Sequence, residues 1–404
     1  MHILMVSPQP FFRPRGTPLS VLHRIRGLTM LGHTVELVTY PFGETPVIPG
    51  LTIHRAARPP LVGDVPVGPS LAKLALDIPL FRLATRLART GRFDLVHTHE
   101  EGGWMGARLR HSTGLPHLYD MHSSLPQQLA NFGKFNWGPV VAAFRRLESE
   151  TLRGADGVIA ICQSLHDHVI ASGYTGPVAM IENTLEFPHE PVNAAELRAL
   201  RGRLQLGEGP VVMYTGTLEA YQRLDLLLDA AVHVREQAPG VTFVVVGGVP
   251  AQVAELRRMA SLRGVEDVFR FVEAVPPDEV PRYQQLASVL VTTRARGTNV
   301  PLKIYQYLRS GRPIVATTIP SHTQVLDRST AELVTPEPLA IAAGIVHVLA
   351  DRDHARRLAA AAVQLAQQRY SEDAYLDRLR RLLEQIPAAR QREKPLDPTR
   401  PAAR

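Results

Sequence analysis

The sequence predicts an α/β protein of two doubly wound domains, each built on a mostly parallel sheet, and three observations lead there. Short apolar, strand-like runs alternate with helical patterns along most of the chain. The alternation stops at a stretch rich in Pro, Asn and Glu, Ile181 to Asn193, and then begins again. The length of 404 residues, 45% of them hydrophobic and 21% charged, lets each of two or three domains bury its own core.

The opening βαβ unit runs through His2 to Val6, a helix around Leu19 to Leu31, and Thr34 to Thr39. Leu95 to His97, His117 to Tyr119 and Gly157 to Ile161 add strands to the first sheet. The second set comprises Val211 to Thr215, Thr242 to Val246, Phe269 to Phe271, Val289 to Thr292 and Pro313 to Ala316. Helices such as Leu224 to Glu236 and Val300 to Leu308 lie between these strands. Asp353 to Gln368 and Glu372 to Ile386 read as late helices. Domain boundaries are expected at 1–185 and 186–369, with 387–404, rich in Pro and Arg and poor in apolar residues, a disordered tail.

Composition narrows the function. No apolar run reaches the roughly 18 residues a membrane span needs, and Met1 to Tyr40 carries charges where a secretory leader needs an unbroken apolar stretch. A single cysteine, Cys162, excludes an internal disulfide and a multi-cysteine zinc site; a cytoplasmic location is expected. The net charge of +7, from four lysines and forty-one arginines against 38 acids, favours phosphate-bearing partners or an anionic membrane surface. Basic and acidic residues are interleaved and aromatics make up only 6%, so there is no stacking platform and nucleic acid is not the expected partner.

Three loops are placed for chemistry. Ser7 to Pro18, containing Arg13, Arg15, Gly16 and Thr17, joins the first strand to a helix. It is either an anion-holding helix start or an ordinary connection. No dinucleotide fingerprint is present, which disfavours a nicotinamide or flavin cofactor. Met213 to Leu224 is the comparable loop of the second half. Arg294 to Thr317 is the most informative run: a strand ends, Gly297-Thr298-Asn299 turns, and a helix begins near Pro301. Lys303 then sits in the first turn, where a cation opposes the helix dipole unless a bound phosphate relieves it; the alternative is an exposed surface lysine. His97 and His99 share a strand face and precede Glu100, but no further ligand clusters with them in sequence and no metal is expected. Asp351-Arg352-Asp353 lies in a late helical segment remote from these loops. Leu71, Leu74, Ile78 and Phe81, with Lys73, Arg82, Arg86 and Arg89, form an amphipathic stretch, as does Lys134 to Arg153 with Phe135, Trp137 and Phe144. Each is either a lipid-docking segment or a core-facing helix, with its pattern interrupted at Pro79 or Pro139.

Motifs along nearly the whole chain resemble the family 4 retaining glycosyltransferases with the GT-B fold, two Rossmann-like domains facing a central cleft. They are RGTPLSVLHRIRGLTMLGHTVELVT, FDLVHTHEEGG, LYDMHSS, ADGVIAICQSL, YTGTLEAYQRLDLLLDA, FVVVGG and VPLKIYQYLRSGRPIVAT. The resemblance implies metal-independent transfer from a nucleotide-diphosphate sugar to a glycan or lipid-linked acceptor, with no cofactor, in the cytoplasm or peripherally on the inner face of the membrane. It also implies that the helix of about 370–386 packs back on the first domain. The donor would be held by Gly216, Thr217, Arg223, Gly297, Thr298, Asn299, Val300, Pro301, Leu302, Lys303 and Gln306, with Gly16 and Thr17 facing it from the first domain. His122 aligns with the family histidine that positions the reacting sugar, and Arg13, Arg15, His99 and Glu100 would lie on the acceptor side. The chain departs from the family pattern where Thr298 and Gln306 replace a Glu-x7-Glu pair, and where Thr217 and Gln222 stand for the Arg and Lys that clasp the diphosphate. Arg223 and Lys303 are the candidate replacements. If neither serves, the resemblance allows a catalytically degenerate nucleotide-sugar-binding protein; a GT-B epimerase or phosphorylase is a further alternative.

Overall fold

The computed structural model describes residues 1–12, 16–60, 62–63, 71–124, 138–184 and 193–388. Arg13, Arg15, Lys134, Phe135, Trp137 and most of the expected tail therefore lie outside the described residues, as does the side chain of Leu71. The chain divides into two compact units, Met1–Ile161 with Leu165–Ile181 and Arg378–Arg404, and Cys162–Ser164 with Glu182–Asp377.

The first unit is built on a seven-stranded sheet of β1 (His2–Ser7), β2 (Thr34–Thr39), β3 (Leu51–Arg55), β4 (Leu95–His99), β5 (His117–Met121), β6 (Gly157–Ala160) and β7 (Val178–Met180). All pairs are parallel and the order is β3-β2-β1-β4-β5-β6-β7, so the winding reverses between β1 and β4. Helices α1 (Thr17–Met30), α2 (Leu71–Ala88), α3 (Gly103–Thr113), α4 (Gly138–Arg153) and α5 (Gln163–Ala171) connect them. Parallel strands covered on both faces should be continuously apolar. β1 obeys this, and Leu4 and Val6 pack with Val38, Leu76, Leu80, Val96 and Met105. β4 and β5 do not: His97, Thr98, His99, His117 and Asp120 are fully buried within them.

The second unit has six parallel strands, β8 (Val211–Thr215), β9 (Thr242–Val246), β10 (Phe269–Val272), β11 (Val289–Thr292), β12 (Ile314–Thr317) and β13 (Glu332–Val334), in the order β10-β9-β8-β11-β12-β13. Its helices are α6 (Ala194–Arg203), α7 (Leu224–Gln237), α8 (Pro250–Leu262), α9 (Val280–Gln284), α10 (Leu302–Arg309), α11 (Pro320–Thr323), α12 (Pro338–Ala350) and α13 (Arg352–Arg369). Strand alternation splits the core. Phe243 and Val245 join Leu227, Val291 and Ile345 on one face, whereas Val244 and Val246 join Ile304, Tyr305 and Tyr370 on the other. A final helix, α14 (Glu372–Gln385), leads back to the first unit, where a Cβ at Gly157 would lie 3.0 Å from Ile386 Cδ1.

Two expectations are corrected, on strands and on prolines, the alternative left open at Lys303 is resolved, and Asp351 is placed. β3, β7 and β13 are additional strands; the first is partly exposed and the other two have three residues each, so none carries a buried apolar run. Pro79 does not interrupt α2, which continues through it, and Pro139 falls in the first turn of α4, where its missing N–H has no intrahelical partner to lose. Lys303 is not a surface lysine but is buried, 6% exposed. Asp351 caps α13, its carboxylate accepting from the Asp353 and His354 amides.

Candidate functional site

In open parallel sheets the ligand crevice lies beyond the carboxyl ends of the strands where the winding reverses. In the second unit that point lies between β8 and β11. The loop after β8 carries Gly216, Thr217 and Gln222; the segment after β11 carries Arg294 and leads through Gly297 to α10 and Lys303. The Tyr307 hydroxyl accepts from the Thr215 amide at 2.9 Å, which fixes α10 against the end of β8.

Gln222 joins the two loops. Its Nε2 donates to Thr217 Oγ1 at 3.1 Å, and its Oε1 accepts from Arg294 Nε at 3.1 Å and Lys303 Nζ at 3.4 Å. Two cations thus meet on one neutral oxygen, and among the described residues neither has a carboxylate within ion-pair distance. Lys303 Nζ lies 3.5 Å from the Tyr214 ring centroid, and the Arg294 guanidinium covers Tyr221 at 5.0 Å. Burial, and then the Arg294 charge, hold the Lys303 ammonium well below the ordinary lysine pKa. Gly216 makes room for this amine: its φ is +136°, and a Cβ there would lie 2.9 Å from Nζ. A pair of desolvated cations without a counter-ion is an electrostatic arrangement that an incoming diphosphate stabilises.

Around this centre, Gly297 has φ +124° and its carbonyl accepts from the Ser321 amide; Thr298 is exposed and its carbonyl accepts from Gln324. The Asn299 carbonyl accepts from Arg294 at 3.3 Å, Val300 leads to Pro301 as the cap of α10, and Leu302 opens that helix. Gln306, one turn beyond Lys303, is partly exposed. Arg223 stands apart. Its guanidinium is bidentate on Asp225, with contacts from 2.7 to 3.1 Å, so its charge is already compensated. The second cation on Gln222 is Arg294, one of forty-one arginines, which the sequence reading did not assign.

In the first unit the winding reverses between β1 and β4. Gly16 caps α1 with φ +54°, and Thr17 Oγ1 donates to Glu100 Oε1 at 2.9 Å. Gln9 Nε2 donates to Glu100 Oε2 at 2.7 Å, so a residue that follows β4 is tied to both ends of the β1–α1 loop. Glu100 has a φ of +46°, unusual for a non-glycine, and burial with the neighbouring Glu101 carboxylate raises its pKa to about 7. Lys73 pairs with Glu101 at 3.0 Å.

Asp120 is the centre of a buried polar cluster. Arg24 Nε donates to its Oδ2 at 2.7 Å, and His97, His122 and His99 lie 3.5, 3.3 and 3.7 Å from its oxygens. The β4–β5 register puts His99 opposite Asp120, and alternation puts His97 on the same face. No third group clusters with His97 and His99 in sequence; the fold supplies Asp120, and with it a guanidinium already occupying the carboxylate. His99 is fully buried, its Nδ1 3.0 Å from His122 Nε2; it supports His122 and presents no accessible surface on the acceptor side where it was expected. Burial lowers the His122 pKa to about 4 despite the Asp120 carboxylate, so the imidazole is neutral near pH 7.

Comparison with known proteins follows the same division. The family described as Glycosyltransferase Family 4 matches residues 14–186, and that described as Glycosyl transferases group 1 matches residues 209–351. A D-inositol 3-phosphate glycosyltransferase of Xylanimonas cellulosilytica is 27% identical over 92% of this chain and 93% of its own length. A GDP-mannose-dependent alpha-(1-6)-phosphatidylinositol monomannoside mannosyltransferase of Mycobacterium tuberculosis is 29% identical over 46% of the chain, a match that spans only 51% of that relative. The crystal structure of Anabaena HepE in complex with UDP-glucose superposes with a TM-score of 0.73 at 19% identity, covering 95% of this chain and 99% of that one.

Proposed function

Since the chain belongs to the GT-B glycosyltransferases of the group 1 and family 4 type, we propose that it transfers a sugar from a nucleotide-diphosphate donor to a glycan or lipid-linked acceptor with retention of anomeric configuration. The observation that carries this reading is the pairing of Lys303 and Arg294 on Gln222. Together with the amide end of α10, they balance the charge that collects on a departing diphosphate, a task that metal ions perform elsewhere. The bond from the anomeric carbon to the β-phosphate oxygen breaks, and the bond to the acceptor oxygen forms on the same face. The acceptor proton passes to the leaving phosphate oxygen. Neutral His122 orients a sugar hydroxyl; among the other residues of the first unit, Gly16 and Thr17 are the candidate donor contacts and Glu100 the candidate acceptor contact.

A thermal-shift screen against GDP-mannose, UDP-glucose and ADP-glucose tests donor recognition, since a ligand that binds only the folded chain raises the melting temperature by mass action. One donor should raise it, and the same donor should turn over with an acceptor extract. No shift with any nucleotide sugar would remove the reading; binding without turnover would favour the degenerate alternative.

Among the described residues no helix is long and apolar enough to cross a membrane. Helix α2 nevertheless exposes Leu74 (62%) and Ile78 (56%) in one stripe with exposed Arg82 and Arg86. Apolar residues followed by arginines at one helical spacing suit an anionic lipid surface, the setting of a lipid-linked acceptor. The protein should float with vesicles containing phosphatidylglycerol, and Leu74→Asp with Ile78→Asp should reduce this strongly. Wild-type protein left at the bottom of the gradient would refute membrane docking without touching the donor assignment.

A further inference from the structure

A second histidine–carboxylate cluster, in the second unit, lies two strands from the switch point, at the edge strand β13. Glu332 Oε2 lies 2.8 Å from His354 Nε2 and 3.4 Å from His347 Nδ1, and the two imidazoles stack with centroids 4.6 Å apart and planes 20° apart. We propose that Glu332, His347 and His354 bind a divalent transition-metal ion of the zinc type, which ties β13 to the α12–α13 corner. Neither the proposed transfer reaction nor its donor site depends on this ion.

The geometry suits such an ion. Zinc takes imidazole nitrogen and carboxylate oxygen at about 2.0–2.2 Å, and at the tetrahedral angle this separates neighbouring ligand atoms by roughly 3.3 Å. The two nitrogen–oxygen separations, 2.8 and 3.4 Å, bracket that value, and all three ligand atoms lie within 4.8 Å of one another. Two histidines and one carboxylate form a donor set of intermediate softness that favours zinc over calcium or magnesium.

The backbone that carries the ligands is also fixed. Asp351 caps α13 by accepting from the His354 amide at 2.8 Å, which fixes the turn that carries His354. Gly344, three residues before His347, lets α12 sit close to β13: a Cβ there would lie 2.7 Å from Val334 Cγ1 and 3.4 Å from Glu332 Cγ. The side chains of Glu332, His347 and His354 are 23%, 52% and 21% exposed, so an ion has an entry path and water can fill the remaining positions. Among the described residues, the group His97, His99 and Asp120 also brings three ligand atoms within 4.8 Å of one another, but it does not suit an ion. It is fully buried, and Arg24 holds a positive charge 2.7 Å from the carboxylate that a metal would need.

The test uses the full-length, untagged chain stripped with a chelator and titrated calorimetrically with zinc chloride, with cobalt(II) absorption as a second readout. One equivalent should bind, zinc should raise the melting temperature, and tetrahedral cobalt bands should appear. His347→Ala and His354→Ala should each weaken binding by about tenfold or more, while melting without metal stays at the wild-type temperature. If either variant fails to fold, Glu332→Gln carries the same expectation. Absence of saturable uptake by the wild type, or uptake at full strength in folded variants, would overturn the site.

Discussion

Lys303→Ala should lower kcat by about a hundredfold to a thousandfold, the usual cost of removing one preorganised charge donor from a developing anion. Arg294→Ala should have a comparable effect, because both cations meet on Gln222 Oε1. Arg223→Ala should cost less than either, since Asp225 already compensates that guanidinium. Steady-state kinetics and calorimetric titration with the free nucleoside diphosphate check the ranking; a wild-type Lys303→Ala enzyme would refute the diphosphate assignment. A pH dependence follows. Burial and Arg294 lower the Lys303 pKa in the free protein, whereas a bound diphosphate raises it again. Between the two values binding takes up a proton, so affinity is full below the free-state pKa and falls as pH rises towards the bound-state value. Titrations in buffers of different ionisation enthalpy should detect that uptake in wild type and lose it in Lys303→Ala.

This site was partly legible in the sequence, and what was not legible depends on tertiary convergence. Lys303 stood out because a cation in a first helical turn contradicts the dipole, a local signal. Arg294 gives no such signal, and Gln222 registers only as the loss of a lysine. Their meeting requires the loops after β8 and β11 to be brought together by the reversal of strand order. The departure at Gln222 thereby becomes intelligible: the amide assembles Arg294 and Lys303 where the family pattern places its own lysine. In the first unit, alternation put His97 and His99 on one face, yet Asp120 lies in the neighbouring strand and Arg24 on α1, beyond the reach of any local pattern. Strands with buried apolar runs are readable to within a residue at each end, whereas β3, β7 and β13 lack such runs and emerge only through pairing.

Asp120→Ala should destabilise the first unit by about 3–5 kcal/mol, because it breaks the buried pair that Arg24 Nε makes with Asp120 at 2.7 Å, where both side chains are 0% exposed. For a unit of this size that is a fall of roughly 6–20 °C in its calorimetric transition. The charge pair and the apolar alternative can be separated: Arg24→Met with Asp120→Leu removes both charges together and should recover most of the loss. Acid adds a second signature. The native Asp120 pKa is held well below the ordinary carboxylate value: burial works against the shift, and the Arg24 charge together with His122, His97 and His99 outweighs it. Its contribution is complete above the unfolded value of about 3.9 and disappears as pH falls through the native one. His97, His99 and His122 have native pKa values lowered by burial, so the unfolded chain binds their protons first and stability declines as pH falls below about 6.5. Wild type and Asp120→Ala should share that decline, while the gap between them should hold from neutrality to about pH 5 and narrow only below about pH 4. A gap that closed near pH 6 would show that histidine protonation, and not the Arg24–Asp120 pair, holds the cluster together.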